Sequence, residues 1–261
     1  MRLENSRGPL RIGCVQYLNA RPLIDGFAGD IHFDHPAKLC AQLASGELDV
    51  ALVSSFEYLR NPVYAIVDGV SISSERDVYS VILAHRLPLT EVKRCALDPA
   101  SLTSVALLRV LLAAQNFKPE IVSADDRSLD ENDAGRLLIG DQAIRFRDEQ
   151  GARFQYYDLA SAWRQLTGLP FVFALWLVRP EVQDARELAD ALRRQRDLNL
   201  TRLDEIAGAQ KQVPVAFCKK YFREHLSYAL DDSHKAGLAE FHRRAAASGL
   251  DVAPALDFRF V

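Results

Sequence analysis

The sequence predicts an α/β protein with two lobes and a ligand cleft between them. Short β-rich apolar runs alternate with amphipathic helical patterns over residues 11–178, which is typical of α/β folds. The predicted strands fall into two groups, and 261 residues are enough for two domains. Apolar residues make up 49% of the chain, so each lobe can have its own core.

The first group of strands precedes residue 85. A strand over residues 11–17 ends in a polar turn, and Pro22 suits the first turn of the next helix. Residues 48–53 form a nearly continuous apolar run, typical of a buried parallel strand. Ser54 with Glu57 predicts a capping box that opens a helix. The other predicted elements here are strands at 31–33, 63–68 and 78–84 and a helix at 36–43 that Gly46 ends.

The middle third repeats this alternation, and the C-terminal third is helical. The middle third has predicted strands at 95–97, 120–122, 136–139 and 154–157 and helices at 105–114 and 159–166, the second ended by Gly168. A strong strand follows at 171–178, and then amphipathic helices at 181–197, 200–209, 215–230 and 232–248.

Two apolar strands flank the middle third, at 78–84 and 171–178, as expected of segments that cross between lobes. We therefore expect lobe one to comprise residues 1–85 and 178–261, and lobe two to be an insertion of residues 86–177. Ligands bind such folds at the strand ends that face the cleft.

Charge and hydropathy exclude several functional classes. A net charge of −3 excludes a broadly basic protein that coats nucleic acid. Residues 1–13 lack the apolar core of a secretory signal. The longest apolar run, residues 169–178, is about half the ~20 residues that span a bilayer. A soluble, cytoplasmic protein is the expectation.

Neither a metal nor a cofactor motif stands out. The cysteines at 14, 40, 95 and 218 show no paired spacing, which predicts reduced, packed thiols. His32 and His35 have no Cys, Asp or Glu at ligand spacing, so a metal site there is not favoured. Glycine-rich nucleotide motifs and the nucleophile-elbow motif are missing from the sequence.

Polar residues follow several predicted strands and are the candidate ligand contacts. Ser54–Ser55 and Thr103–Ser104 open helices, where exposed N–H groups and hydroxyls favour anions. Two such sites in one cleft suit a small dicarboxylate. The alternative is that these residues are only helix caps. The other candidates are Asn19, Ser80 and Gly140–Asp141.

Aspartates could also supply acid–base chemistry, although no spacing forces a pair to meet. Asp49 lies in a predicted strand, whereas Asp98 and Asp141 lie in turns beyond strands. Trp163 and Trp176 fit a core better than a stacking platform.

Several segments together resemble the menaquinone-biosynthesis family of the futalosine route. They are IGCVQYLNARPL at 12–23, SGELDVALVSSFEYLRNP at 45–62, ALDPASLTSVALLRVLL at 96–112, LLIGDQAI at 137–144 and YDLASAWRQLTGLPFVFALW at 157–176. YLNARP stands where the sister branch of the family has a Ser-Pro-Cys-Pro-Asn-Asp-like motif, so the resemblance favours the dehydratase branch.

The resemblance implies a type II periplasmic-binding-protein-like fold and a cofactor-free reaction in which chorismate loses water to give 3-[(1-carboxyvinyl)oxy]benzoate. It implies catalytic roles for Asn19 and Ser80. Ser54, Ser55, Thr103, Ser104 and Asp141 would then bind the substrate, with Arg21 and Arg145 adding positive charge. The loop Glu75–Arg76–Asp77 departs from the glycine that the family often carries before Ser80.

Two alternatives stay open at this point. One is the sister activity, 1,4-dihydroxy-6-naphthoate synthase, which acts on cyclic dehypoxanthine futalosine. The other is a non-catalytic protein of the same fold that binds or senses a small carboxylate, because a fold alone does not imply chemistry.

Overall fold

Two large β-sheets with helices packed against them form the fold in this computed structural model. The structure describes residues 4–5, 8–97, 101–124 and 132–261. Its strands are β1 (Glu4–Asn5), β2 (Gly8–Pro9), β3 (Ile12–Cys14), β4 (Ile31–Phe33), β5 (Val50–Ser54), β6 (Ala65–Ser74), β7 (Val81–His85), β8 (Arg94–Leu97), β9 (Glu120–Ser123), β10 (Ala134–Ile139), β11 (Gln155–Asp158), β12 (Phe171–Val178) and β13 (Ser227–Leu230).

The helices lie between the strands and after them. They are α1 (Arg21–Ile24), α2 (Pro36–Ser45), α3 (Ser55–Arg60), α4 (Leu102–Ala114), α5 (Gly140–Gln150), α6 (Leu159–Thr167), α7 (Ala185–Thr201), α8 (Leu203–Ala209), α9 (Val215–Lys220) and α10 (Asp232–Ala247). Single turns of 3₁₀-helix include Leu18–Ala20, and Tyr221–His225 forms a π-helical turn after α9.

The six-stranded sheet has the order β13-β6-β12-β5-β3-β4, and the five-stranded sheet has the order β11-β7-β10-β8-β9. Strand β3 pairs in parallel with β4 and β5, and β8 pairs in parallel with β9 and β10. Strands β12 and β7 pair antiparallel to their neighbours. Both sheets are therefore mixed, and the prediction of parallel sheets is wrong in this respect.

Antiparallel strands arise because the chain passes between the sheets. Residues 75–80 connect β6 of the six-stranded sheet to β7 of the five-stranded sheet, and α6 leads from β11 back to β12. A strand that enters a sheet from the other lobe begins at the cleft and runs away from it. Strands that end at the cleft run in the opposite direction, so the two kinds pair antiparallel.

The two sheets suggest a division of the chain that differs slightly from the expected one. Strand β7 belongs to the five-stranded sheet and β12 to the six-stranded sheet, so neither strand itself crosses. We propose that the lobes are built around these two sheets, with lobe two inserted between the crossings at 75–80 and α6. Below, lobe one means the six-stranded part and lobe two the five-stranded part.

Three predicted elements differ from the structure. The predicted helix 215–230 ends early, because its last four residues form β13 and pair with the edge of β6. Helix α5 was expected only as a turn at Gly140–Asp141. The strand predicted at 63–68 is longer in the structure, where β6 continues to Ser74. Its shifted register against β12 accommodates Asp68–Gly69 without ending the strand.

The core contains the aromatic and sulfur-bearing side chains. Trp163 makes edge contacts with Phe171 and Phe241, with ring centroids 5.4 and 5.9 Å away. Trp176 is also buried, as predicted. The four cysteines are free and buried, and burial raises the pKa of Cys14 to about 12. Among the described residues, no helix has the length and apolarity to cross a membrane.

Candidate functional site

A cavity lies between the two sheets, with walls from both lobes. The space between its walls is about 650 Å³, with the open solvent at its mouth included. The wall is mainly apolar, and among the described residues it includes no Asp, Glu, His, Lys or Arg. Its polar wall residues are Tyr17, Asn19, Ser54, Ser101, Thr103 and Ser104.

Asn19 presents an amide to this cavity from the 3₁₀ turn after β3. Its Oδ1 atom is buried and has no hydrogen-bond partner among the described residues. Leu18, the residue before it, donates its N–H to Oδ1 of Asp141 over 2.9 Å, and this bond fixes the turn. A buried amide oxygen without a partner needs a donor, which a ligand hydroxyl can supply.

The N-terminus of α4 forms one end of the cavity. Ser101 is the N-cap residue, but its side chain makes no capping hydrogen bond. The hydroxyls of Ser101 and Ser104 line the cavity without a partner among the described residues. First-turn N–H groups and two hydroxyls at the positive end of a helix dipole can bind one carboxylate.

In the described part of the chain, the hydroxyls of Ser54 and Ser55 bond to other protein groups, unlike those of Ser101 and Ser104 at the start of α4. Ser54 Oγ and Thr103 Oγ1 are in close hydrogen-bond contact across the lobes, and the N–H of Phe56 donates to Thr103 Oγ1 over 3.2 Å. Ser55 Oγ donates to Val172 O over 2.7 Å, and Ser55 is not part of the cavity wall. The start of α3 is thus occupied by protein groups, and the predicted Ser54 capping bond is wrong because Ser54 bonds Thr103 instead.

Ser80 lies in the first crossing, behind the cavity wall that Val78 and Val81 form. It is fully buried, and its Oγ is 2.6 Å from the hydroxyl of Tyr221. The sequence predicts Ser80 inside a strand at 78–84, but β7 begins one residue after Ser80. Burial raises the pKa of Tyr221, which keeps this phenol protonated and able to donate.

Tyr79 adopts a strained backbone conformation directly before Ser80. Its φ is 65°, which is uncommon for a residue with a side chain. The N–H of Ser80 donates to Val78 O over 2.7 Å, so Val78, Tyr79 and Ser80 form a γ-turn of the rare positive-φ kind. Residues in such conformations cost about 1–3 kcal/mol and cluster at functional sites.

Asp141, Arg21 and Arg145 line a second, outer pocket that shares Tyr17 and Ile139 with the cavity. Burial raises the pKa of Asp141, although the Leu18 N–H and the charges of Arg145 and Arg21 lower it. The side chain of Arg21 makes no hydrogen bond or ion pair with the residues that the structure describes, so its guanidinium is available to a ligand.

The sequence left open whether two aspartates meet in the cleft, and the wall of the cavity holds no aspartate among the described residues. Asp49 is bound to Arg11 through a 2.7 Å ion pair and two further hydrogen bonds. Burial would raise the pKa of Asp49, but the Arg11 hydrogen bonds lower it overall. Asp98 lies outside the described residues. Asp141 contributes to the outer pocket only.

Sequence reasoning missed Tyr221 and Ser101. Tyr221 is 141 residues from Ser80, and nothing in the local sequence indicates their contact. Ser101 had a local signal, since a serine that precedes an apolar helical run is a typical N-cap. The predicted helix begins at residue 105, three positions later than a Ser101 N-cap implies, so the prediction places Ser101 in the preceding turn.

Known proteins match this chain over most of its length. A sequence model of a family described as menaquinone biosynthesis matches residues 10–247. A curated Thermus thermophilus protein named chorismate dehydratase is 33% identical over 94% of this chain and 97% of its own.

Solved structures show the fold. A crystal structure of an Archaeoglobus fulgidus protein superposes with a TM-score of 0.72 at 20% identity, over 92% of this chain and 97% of the other. The Escherichia coli periplasmic aliphatic sulphonate binding protein superposes with a TM-score of 0.58 at 16% identity, over 96% of both chains. The two-lobed fold is thus that of periplasmic binding proteins, and the chain itself belongs to the menaquinone biosynthesis family.

Proposed function

We propose that this protein is a dehydratase that converts chorismate to 3-[(1-carboxyvinyl)oxy]benzoate and water. The observation that carries the proposal is the Asn19 amide oxygen, which is buried in an apolar cavity and has no hydrogen-bond partner in the part of the chain that the structure describes. The family match and the full-length curated relative named chorismate dehydratase support the same activity. Membership of the lyase class, independence of a cofactor and a cytoplasmic location are parts of this proposal.

The reaction suits a site that has few ionisable groups. The C3 hydrogen leaves as a proton, its electron pair forms the C3–C4 double bond, and the C4–O bond breaks to release the hydroxyl as water. The ring becomes aromatic, so much of the driving force comes from the substrate. The enzyme then needs mainly to position groups, which can contribute roughly 7–11 kcal/mol at best.

The polar groups of the cavity have complementary tasks in this reaction. One carboxylate binds at the N-terminus of α4, with donors from Ser101 and Ser104. The second carboxylate extends past Tyr17 towards Arg21 and Arg145 of the outer pocket. Thr103 and Ser54 hold the lobes together beside the ring, and Ser55 supports this contact from behind.

Asn19 and Ser80 act on the reacting carbons in this proposal. The Asn19 amide oxygen accepts a hydrogen bond from the C4 hydroxyl and orients it for departure. Ser80 Oγ and the Tyr221 hydroxyl share a hydrogen bond over 2.6 Å behind the cavity wall, and in this proposal Ser80 holds or relays a proton near C3–C4 through this pair. Neither side chain is a good base at its ordinary pKa, so the enolpyruvyl carboxylate of the substrate takes the C3 proton and passes it to the departing C4 hydroxyl, which leaves as water.

Purified protein incubated with chorismate tests the proposal. We expect a new benzoate absorbance, with loss of most turnover in Asn19→Ala and Ser80→Ala. Near-normal turnover in both variants would show that the residue assignment is wrong. Binding of chorismate without product would favour a carboxylate sensor, and turnover only of cyclic dehypoxanthine futalosine would favour the sister activity.

A further inference from the structure

The backbone that carries Ser80 is held from lobe two by a single carboxylate. Asp158 Oδ2 accepts the N–H of Tyr79 over 2.8 Å, and Oδ1 accepts the N–H of Val78 over 3.1 Å. Both N–H groups belong to the γ-turn that ends at Ser80. A charged acceptor makes stronger hydrogen bonds than a neutral one, and so it can hold a strained turn.

The same carboxylate also binds the second crossing between the lobes. Asp158 is the N-cap of α6, and its Oδ1 accepts the N–H of Ser161 over 3.0 Å. Helix α6 leads from β11 of one sheet to β12 of the other. Asp158 therefore joins both connections between the lobes at one point.

Arg147 of α5 holds the turn at its other polar group. Its Nη1 donates to Tyr79 O over 3.0 Å, and its guanidinium lies 3.9 Å from the centroid of the Tyr79 ring. Phe217 and His225 contact the same ring, with centroids at 5.0 and 5.4 Å. The N–H, the carbonyl and the ring of Tyr79 are thus all engaged.

We propose that Asp158 and Arg147 are positioning residues that maintain the Tyr79 turn and so keep Ser80 in place for dehydration. Their role in dehydration rests on the proposed function. The contacts of Asp158 and Arg147 with the Tyr79 turn, here called the clamp, are a property of the folded chain whatever its activity. Neither residue lines the cavity, so each acts through the backbone of residues 78–80. Burial raises the pKa of Asp158, and its hydrogen bonds to Ser161, Val78 and Tyr79 counteract this.

Asp158→Asn is the sharpest test, because asparagine is as good an N-cap as aspartate. Its amide oxygen can still serve α6, while its NH₂ group faces the N–H of Tyr79 and cannot accept. Arg147→Met removes the second contact at a partly exposed position. Asp231→Asn is the matched control, since Asp231 caps α10 in the same way and lies outside the cavity.

Hydrogen exchange and steady-state kinetics are measured on each full-length variant. We expect at least tenfold faster amide exchange over residues 78–82 in Asp158→Asn, and a smaller increase in Arg147→Met. We expect kcat for chorismate to fall at least tenfold in Asp158→Asn while KM stays within threefold. Asp231→Asn should change neither quantity.

Unchanged exchange in both variants would overturn the clamp, and faster exchange with unchanged kcat would overturn the positioning role. An equal fall of kcat in Asp231→Asn would attribute the effect to general destabilisation and also overturn it. If Asp158→Asn does not fold, Arg147→Met decides by the same criteria. A wild-type protein without dehydratase activity would overturn the proposed function alone, and hydrogen exchange would still decide the clamp.

Discussion

Leu18 and Asp141 belong to different lobes, and the N–H of Leu18 donates to Oδ1 of Asp141 over 2.9 Å. This bond holds the turn that carries Asn19 and forms between the two walls of the cleft. The position of the Asn19 amide is thereby linked to the contact between the two lobes.

Asp141→Ala should lower kcat for chorismate roughly tenfold, because the loss of one hydrogen bond to a charged group is worth about 1.5–3 kcal/mol. Asp141→Asn keeps an acceptor for Leu18 and should retain most of kcat. Steady-state kinetics of the two variants side by side measure this. An equal fall in both would show that the charge of Asp141, rather than its hydrogen bond, matters.

Tyr221→Phe should lower kcat about two- to tenfold, because Ser80 Oγ loses its 2.6 Å partner. Tyr58→Phe is the control. That phenol is also buried and hydrogen-bonded, to Asp257 O over 2.8 Å, but it lies away from the cavity. Both variants should unfold at a lower urea concentration than the wild type, but only Tyr221→Phe should have a lower kcat. Equal kcat in the two variants would separate Tyr221 from the reaction.

Ser101→Ala and Ser104→Ala should each raise KM for chorismate roughly tenfold, because each removes a hydroxyl donor to a carboxylate at the start of α4. Ser45→Ala provides the same chemical change on the exposed surface of α2 and should leave KM unchanged. Titration calorimetry with the product would give the binding change without turnover. Wild-type affinity in both cavity variants would place the carboxylate elsewhere.

Gly237→Ala should destabilise the protein by more than about 2 kcal/mol, since an added Cβ would lie 2.2 Å from the carbonyl oxygen of Pro170. Helix α10 packs against the start of β12 through this close approach. Gly208 in α8 has open space around its Cβ position, so Gly208→Ala should stabilise by about 0.5–1 kcal/mol. Urea unfolding of both variants checks the opposite signs.

Asp231 should make stability depend on acid pH. A hydrogen bond from the Ser233 side chain holds the pKa of Asp231 well below its ordinary value, although burial raises it, and His234 adds to the lowering. A lowered folded-state pKa gives stability that is present above the unfolded pKa of about 3.9 and is lost as pH falls through the folded value. The urea midpoints of wild type and Asp231→Ala should therefore differ at pH 7 and converge towards pH 2. A constant difference over this range would contradict the assignment.

Local patterns predicted the elements whose sequence decides their structure. The apolar run before Ser54 became β5, fully buried in its sheet, and Gly168 ends α6 in a left-handed conformation. Such features depend on hydropathy and backbone preference within a few residues. Asn19 was singled out for the same reason, because it follows a short buried strand.

Contacts between segments that are distant in the sequence decided the elements that local patterns did not predict. Residues 227–230 form a strand because the edge of β6 is available, and Ser71 and Ser73 donate to their carbonyl groups. Thr103 binds Ser54 across the cleft, which changes a predicted helix cap into a contact between lobes. These pairings depend on the tertiary arrangement, which overrides local preference and which spacing alone does not encode.

The buried thiols make the native chain suitable for selective chemical labelling. With pKa values of about 12 for Cys14, Cys40 and Cys95 and about 11 for Cys218, only about one thiol in 10⁴ to 10⁵ is ionised at pH 7. A cysteine introduced on the surface of each lobe, such as Ser45→Cys and Gln155→Cys, would therefore react with a maleimide dye far ahead of the native four. Energy transfer between two such dyes can measure the distance between the lobes, with and without chorismate, in a protein that keeps all its own cysteines.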